Sequence, residues 1–323
     1  MYDLIIIGGG PAGMQAAITA KLSGLDILLI NAGKWGGQQA YALELKNLLG
    51  MYGVSGPELI ENAITQMDAI GVETREGKVY NIKTGVRPST VKGHFEIEFY
   101  DTSEESLMAE NVLLTTGLTP RNVDVFDKIQ LRPYVTYLDV QSKIKDLDSA
   151  DKILIVGSGN AAGQAALDIG ARVSKVSLFV KENLDSSMSE YLVKVIKDRI
   201  NISYFEHVVV KEVLEYSGQA RVRWSDAEEA SKANSYDHIF ILCGGKPFGA
   251  EFSELGIEYN EEDIFDKDNY IKTSTDYQTC IPGLYACGDV RSGSIKTLAC
   301  AIGEGSAVAE IINSKLKNNG NTD

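Results

Sequence analysis

No cysteine precedes position 243 in this 323-residue chain, and the four present (Cys243, Cys280, Cys287, Cys300) all fall in its last quarter. They show neither the paired spacing of a zinc site nor the density of a disulfide framework. Histidine is rarer, at three scattered positions (His94, His207, His238), and none is assigned to catalysis. No metal is expected. Near the N-terminus the apolar run Leu4 to Ile7 is far too short for a signal core or a membrane span. Basic residues are in deficit, 31 against 45 acidic, for a net charge of −14. That balance argues against nucleic acid or anionic membrane as a partner, and against an acidic protein unless a local basic patch receives it. A cytoplasmic location is expected.

What is present is organised around the first 38 residues. Asp3 to Ile7 is a short apolar strand that leads into Gly8-Gly9-Gly10-Pro11-Ala12-Gly13. A helix rich in Ala and Leu runs from Met14 to Leu22, and a second apolar run follows at Ile27 to Ile30. Strand, glycine turn, helix, strand is the opening of a dinucleotide-binding βαβ unit. Gly8 allows the tight turn, Gly10 lets the backbone approach a pyrophosphate, and Gly13 lets the helix pack close to the strand. The helix N-terminus offers free N–H groups and a positive dipole end to the phosphates.

The order then repeats. After a helix at Glu58 to Ala69, opened by Ser55-Gly56-Pro57, alternating segments between Lys78 and Asp101 predict an antiparallel meander. A buried strand from Asn111 to Thr116 ends at Gly117. Lys152 to Val156 is a second nucleotide strand, Gly157-Ser158-Gly159-Asn160-Ala161-Ala162-Gly163 a second glycine turn, and Gln164 to Ile169 a helix. Val176 to Val180 is the next strand and Glu190 to Asp198 the next helix. Alternation at Val208 to Leu214 and Ala220 to Trp224 predicts another meander, and His238 to Leu242 a strand ending at Cys243-Gly244-Gly245. The tail holds a strand ending at Gly288-Asp289 and a helix from Lys296 to Ile312, with a fraying polar end from Lys315. The fold class is therefore α/β, with two Rossmann-like dinucleotide-binding domains, each a parallel sheet plus an antiparallel β-meander. Two such modules imply two redox-active nucleotides.

Together GGGPAG, the Trp35-Gly36-Gly37-Gln38 loop, Asn47 to Gly50, Thr115-Thr116-Gly117, GSGNAAGQAA and GDVRSGSIKT resemble the thioredoxin reductase-like flavoproteins, in the family's order and over nearly the whole length. The resemblance implies a discontinuous FAD domain, residues 1–117 and 247–323, and a second nucleotide domain, 118–246, inserted through two short hinges. Homodimers are usual in the family. It places the FAD pyrophosphate on Gly8, Gly10, Pro11, Ala12 and Gly13, and puts Gly36, Gly37, Gln38 and Asn47 beside the flavin and ribityl chain. Thr116, Gly117 and Gly288 fall in the same site. Asp289 would accept from the ribityl hydroxyls, and the helix starting at Lys296-Thr297-Leu298 would point its N-terminus at the flavin. Asn31 stands where the family has an acid for the adenosine ribose. The second nucleotide would lie on Gly157, Gly159, Asn160, Ala161 and Ala162, then on Lys181 and Glu182.

Two departures change the expected chemistry. The family's Cys-x-x-Cys dithiol is absent; aligned on Tyr134, its places hold Val135 and Leu138. The usual relay to thioredoxin is closed. The arginine clamp for the NADPH 2′-phosphate is missing as well: the strand runs into Val180-Lys181-Glu182, and Ser186 replaces the last arginine. Glu182 would repel a 2′-phosphate and accept instead from a 2′-hydroxyl, so NADH is expected over NADPH. The resulting expectation is a flavoenzyme that passes electrons from a nicotinamide nucleotide through FAD directly to an acceptor, after a rotation at the hinges. One alternative takes electrons from ferredoxin or holds a second FAD in the NADPH-type site. Another is a non-catalytic flavin redox sensor. Ferredoxin, a quinone, a small disulfide and oxygen all stay open as acceptors.

Several eye-catching residues have plainer readings. Cys287, beside Gly288-Asp289, reads first as a small buried strand residue, and Cys243 and Cys300 as packing residues. Trp35 and Tyr137 read as packing before cofactor stacking. Glu261-Glu262-Asp263 with Asp266 and Asp268 lacks calcium-loop spacing. The stretch Asp185 to Ser189 is expected either to cap the next helix or to contact a nucleotide.

Overall fold

Alternation along the first strand sets the layers of the N-terminal sheet. In the computed structural model, β1 (Tyr2–Ile7) points Leu4 and Ile6 to one core and Ile5 and Ile7 to the other. The structure describes residues 1–84, 95–101, 103, 105–137, 139–227, 231–247 and 261–320. The chain divides into two compact units, Met1–Thr119 with Pro247–Asp323, and Pro120–Lys246.

The first unit begins with β1, α1 (Pro11–Leu22), β2 (Ile27–Asn31), α2 (Gly56–Ala69) and β3 (Glu73–Glu76). The antiparallel meander follows as β4 (Val79–Thr84), β5 (Phe95–Phe99) and β6 (Leu107–Leu114). The sheet order is β3-β2-β1-β6-β5-β4. On the edge of β6 away from β1, β5 pairs antiparallel with the first half, while β17 (Leu284–Ala286) pairs parallel with the second. One face buries Leu4, Ile6, Ile27 and Leu29 under α1, α2 and the C-terminal helix α7 (Leu298–Gly320). The other buries Ile5, Ile7, Leu28 and Ile30 against Phe95, Ile97, Ile271 and Leu284. Each such side chain contributes about 1.5–3 kcal/mol of burial.

β7 (Leu118–Pro120) and β16 (Gly245–Pro247), where the chain leaves the first unit and returns, pair as a two-stranded sheet. The second unit comprises β8 (Val135–Tyr137), α3 (Val140–Ile144), β9 (Lys152–Val156), α4 (Asn160–Gly170), β10 (Lys175–Phe179) and α5 (Glu190–Lys197). It continues with β11 (Ile202–Phe205), the meander β12 (Val209–Tyr216), β13 (Gln219–Ser225) and β14 (Lys232–Tyr236), and β15 (His238–Ile241). The parallel sheet runs β11-β10-β9-β15-β8, repeating the strand order around β1. Trp224 and Tyr236 of the meander pack with Phe179 and Phe205 at the end of the parallel sheet. In the first unit, α6 (Glu261–Ile264) precedes β17.

The α/β class with parallel sheets and meanders is as the sequence pattern indicates. Some boundaries differ. The C-terminal helix starts at Leu298 and continues past Lys315, where fraying is expected, to Gly320, with Lys315 tied to Asp276, donating to Gln278 Oε1 at 3.2 Å and lying over the Tyr285 ring. Residues 321–323 lie outside the described residues. The second nucleotide helix begins at Asn160, directly after its glycine N-cap. Part of the first predicted meander, residues 85–94, and Leu138 lie outside the described residues. Ser189, at the end of the 185–189 stretch, occupies the N-cap of α5 without a side-chain hydrogen bond. Asp266, in the acidic stretch, accepts from the backbone N–H groups of Asp268 and Tyr270 and from Ser292, an ordinary turn; no metal-holding cluster occurs among the described residues.

Candidate nucleotide sites

Helix capping separates two helices from the rest. α2 is capped conventionally, Ser55 Oγ accepting from Glu58 N, with Glu58 in the first turn. α1 and α4 have glycine N-caps (Gly10, Gly159), no side-chain cap and no acid in the first turn. Their leading N–H groups and positive dipole ends are left for an external anion.

The glycines of the first turn are not equivalent. Gly8 has φ +119, and a Cβ there would lie 2.5 Å from Thr115 O. A Cβ on Gly13 would lie 2.0 Å from Gly8 O, so the helix touches the strand. At Gly10 nothing lies within 4 Å of the Cβ position. Two glycines are demanded by the protein's own packing, and the third faces open space that a ligand backbone can fill. Thr115 closes the turn from β6, its hydroxyl donating between Ile7 O (3.1 Å) and Gly8 O (2.8 Å).

The other expected residues of the first site largely converge on this turn. Gly36 N donates to Gly9 O at 2.7 Å, and the Trp35 ring fills the space over Gly9 as a packing residue. Gly37 has φ +53 and approaches Gly10, with a Cβ there 3.8 Å from the Gly10 Cα. Gln38 Nε2 donates to Leu118 O (3.0 Å), tying that loop to the segment after Gly117, which has φ +65. Gly288, at φ +74, lies against Ala12. On α7, Gly305 lies so close to Ala12 that a Cβ there would be 2.2 Å from its carbonyl oxygen. Asn47 is exposed and has no hydrogen bond to this cluster among the described residues.

Thr297 is the cap of α7, its Oγ1 accepting from Cys300 N at 3.3 Å, so the helix proper begins one residue later. Lys296 Nζ is drawn back to Arg291 O (2.9 Å), and burial lowers its pKa. Asp289 is half-buried with no hydrogen bond to its carboxylate from the described residues. Burial raises its pKa against the opposing pull of Lys296, with Glu304 adding to the rise. The Thr116 hydroxyl and the Gln39 Nε2 are buried without hydrogen-bond partners among the described residues. Orphaned polar atoms, an unbonded carboxylate and an open cradle fit a large polar ligand such as FAD.

Asn31, expected beside the adenosine ribose, is bonded to the glycine turn. Its Oδ1 accepts from Gly9 N (3.1 Å) and its Nδ2 donates to Gly33 O (2.6 Å), in a site 8% exposed. The amide thus ties β2 to the glycine turn.

Sequence reasoning missed Gln39 and a buried ion pair. Glu304 (9% exposed) receives Arg291 through Nε (3.2 Å) and Nη2 (2.6 Å), and Gly288 N at 2.7 Å. Burial opposes its charge, but Arg291 and the Gly288 N–H prevail and hold the carboxyl below its ordinary pKa. The only sequence signals were an Arg two residues past an Asp and a Glu inside a small-residue helix, neither specific.

The second glycine turn repeats the first. A Cβ on Gly157 would meet Leu242 O at 2.4 Å, one on Gly163 would meet Met188 Sδ at 2.6 Å, and Gly159 faces open space. Ser158 Oγ accepts from Lys181 N (3.2 Å), bringing the end of β10 to the turn, and Asn160 Oδ1 accepts from Ser189 N (2.7 Å). Ala161 is exposed at the start of α4 and Ala162 is buried. The side chains of Lys181 and Glu182 are both exposed. Tyr137 packs in the core, its hydroxyl accepting from Val123 N (3.3 Å).

The cysteines form no pair. All four are free, Cys287 is fully buried, and burial raises the thiol pKa of Cys243, Cys280 and Cys287. No helix among the described residues is long and apolar enough to cross a membrane.

Two glycine-turn helices without side-chain caps, on twin Rossmann-like sheets, are the architecture of a dinucleotide-binding protein. Residues 2–305 match the pyridine nucleotide-disulphide oxidoreductase family, and the chain belongs to it. It is 27% identical to thioredoxin reductase of Bacillus subtilis (strain 168), over 97% of this chain and 94% of that one. Its fold resembles that of Lactococcus lactis thioredoxin reductase in the FR conformation, with TM-score 0.87 and 24% identity over 98% and 100% of the two chains. It also resembles T. acidophilum thioredoxin reductase, with TM-score 0.84 and 26% identity over 98% and 99%. The chain is a flavoprotein oxidoreductase of the thioredoxin reductase type; FAD and NAD(P)H are typical of that family.

Proposed function

We propose that this protein is an FAD-dependent oxidoreductase that works without a redox dithiol, taking electrons from a nicotinamide nucleotide, NADH in preference to NADPH, and passing them directly to an acceptor. The carrying observation is the asymmetry of the first turn: Gly8 and Gly13 are filled by the protein, while Gly10 is open beneath an uncapped helix. FAD held there supplies two-electron acceptance and onward electron delivery. The chain's own residues bind and orient. Gly10, Pro11 and Ala12 present the helix end to the pyrophosphate. Asp289 accepts from polyol hydroxyls, and the α7 N-terminus, with Thr297 as cap, favours negative charge. No general acid or base is required of a side chain, and no cysteine precedes Cys243 to form the usual dithiol.

In the second unit, Gly159 and Asn160 would carry the nicotinamide nucleotide's pyrophosphate, with Glu182 receiving its 2′-hydroxyl. A second reading rests on that exposed Glu182 and the missing arginines: the site serves a second FAD, or is bypassed by ferredoxin. Homodimerisation accompanies the proposal as a family expectation, and a cytoplasmic setting as an expectation from cysteine usage.

Anaerobic titration with NADH and NADPH, following the flavin absorbance, is the test. Bleaching by NADH, with NADPH much weaker, is expected. If dithionite alone bleaches the flavin, the nicotinamide assignment fails and the second reading takes its place. A preparation that neither retains nor rebinds FAD would sink both.

A further inference from the structure

Asp289 depends on its surroundings for its orientation. Its carboxylate has no hydrogen bond of its own among the described residues, and it follows directly on Gly288, whose φ of +74 makes the turn. Besides backbone bonds such as Arg291 N to Gly288 O (3.1 Å) and Ile271 N to Val290 O (3.0 Å), that turn is held by one side chain from α7. Glu304 Oε2 accepts from both Gly288 N (2.7 Å) and Arg291 Nε (3.2 Å), and Oε1 from Arg291 Nη2 (2.6 Å). Donors on both sides of Asp289 thus converge on one carboxylate carried by α7. Arg291 is further fixed by Nη1 to Ser292 O (3.1 Å) and by the Tyr277 ring, 5.2 Å away. Glu304 also links α7, whose start belongs to the proposed site, to the turn.

We propose that Glu304 is a positioning residue for the flavin cofactor: through Gly288 N–H and Arg291 it fixes the turn that presents Asp289, without touching the cofactor itself. This rests on the reading that Asp289 faces bound FAD. A buried ion pair adds little net stability over an apolar pair of similar volume. Its particular contribution here is direction, because three charge-assisted hydrogen bonds specify one geometry for the residues around Asp289.

The test is FAD affinity of the full-length apoprotein, followed by quenching of flavin fluorescence, in Glu304→Gln, Asp289→Ala and the double variant. Glu304→Gln should weaken FAD binding about 10- to 100-fold, the size of one or two lost charge-assisted hydrogen bonds. The double variant should bind little worse than Asp289→Ala alone, because the Glu304 effect is routed through Asp289. Additive losses would overturn the proposal, since a general loosening of the fold penalises binding whether or not Asp289 is present. If Asp289→Ala binds FAD like the parent, the Asp289 reading itself is wrong, a separate failure. Should Glu304→Gln not fold, Arg291→Met/Glu304→Met replaces the pair by apolar volume. Parental melting with weakened FAD binding supports the proposal, and parental melting with unchanged binding overturns it.

Discussion

Gly13 stands so close to Gly8 that a β-carbon at position 13 would lie 2.0 Å from the Gly8 carbonyl oxygen. The contact joins the start of α1 to the end of β1 through backbone alone, and backbone cannot move aside as a flexible side chain does. Gly13→Ala should therefore cost at least about 1–3 kcal/mol of stability, the ordinary cost of overpacking. Denaturant unfolding of the apoprotein measures it, and a parental midpoint would refute the close-packing argument.

Gly10→Ala should do the reverse. Nothing lies within 4 Å of its Cβ position, and its φ of −80 suits any residue. Stability of the apoprotein should stay within about 1 kcal/mol, the scale of a changed N-cap. FAD affinity should fall. Unchanged FAD binding would mean that the open space above Gly10 is not where the cofactor's backbone approaches.

Glu182→Arg should move nucleotide preference from NADH toward NADPH. An arginine there replaces repulsion of a 2′-phosphate by a charge-assisted pair, a change of about 10- to 100-fold in relative affinity. The ratio of flavin reduction rates with the two nucleotides is the readout. An unmoved ratio would show that Glu182 does not face the ribose.

Replacing all four cysteines by alanine should leave flavin reduction by the nucleotide, and reoxidation by a one-electron acceptor, at parental rates. Cys287 is fully buried, and the pKa of the most exposed thiol, Cys280, is raised by desolvation and by Asp263, which disfavours the reactive thiolate. Loss of electron transfer in this variant, with FAD still bound, would restore a thiol to the mechanism.

The Lys315–Asp276 pair should give stability a pH-dependent component. The Lys315 ammonium, followed by the Ser274 hydroxyl, lowers the Asp276 pKa, so its contribution is present above the unfolded carboxylate value and is lost as pH falls through the folded one. Lys315 is opposed by burial but raised on balance by Asp276 and Tyr285, so its share is lost only as pH rises through its own folded value. Unfolding midpoints of Lys315→Met should therefore decline less steeply than the parent's between neutral and acidic pH. Parallel curves would count against the pair.

Legibility in the sequence followed how local each signal was. The glycine turns announce themselves because strand, turn and helix are contiguous and their periods differ. Edge strands hid: Glu-Thr-Arg-Glu of β3 and Lys-Ala-Asn-Ser-Tyr of β14 are polar, since a strand at a sheet edge need not be apolar. The long reach of α7 hid too, because its end is held by Asp276 and Gln278, far away in sequence. The bond from Gly9 N to the Asn31 amide hid as well, since only the fold brings the two together.

By itself the sequence determined that there are two glycine-turn βαβ modules in tandem order, that no dithiol can exist before Cys243, and that Lys181-Glu182, with no arginine clamp, follows the Val176 to Val180 strand. These depend on residue identity and on spacing within one element. Tertiary structure alone decided which glycines are packed and which is open, that Thr116 and Gln39 carry orphaned polar atoms, and that Glu304 clamps the turn bearing Asp289. Each of these depends on the distance between segments remote in the chain, and only the packing of α1 and α7 on the sheet fixes that distance.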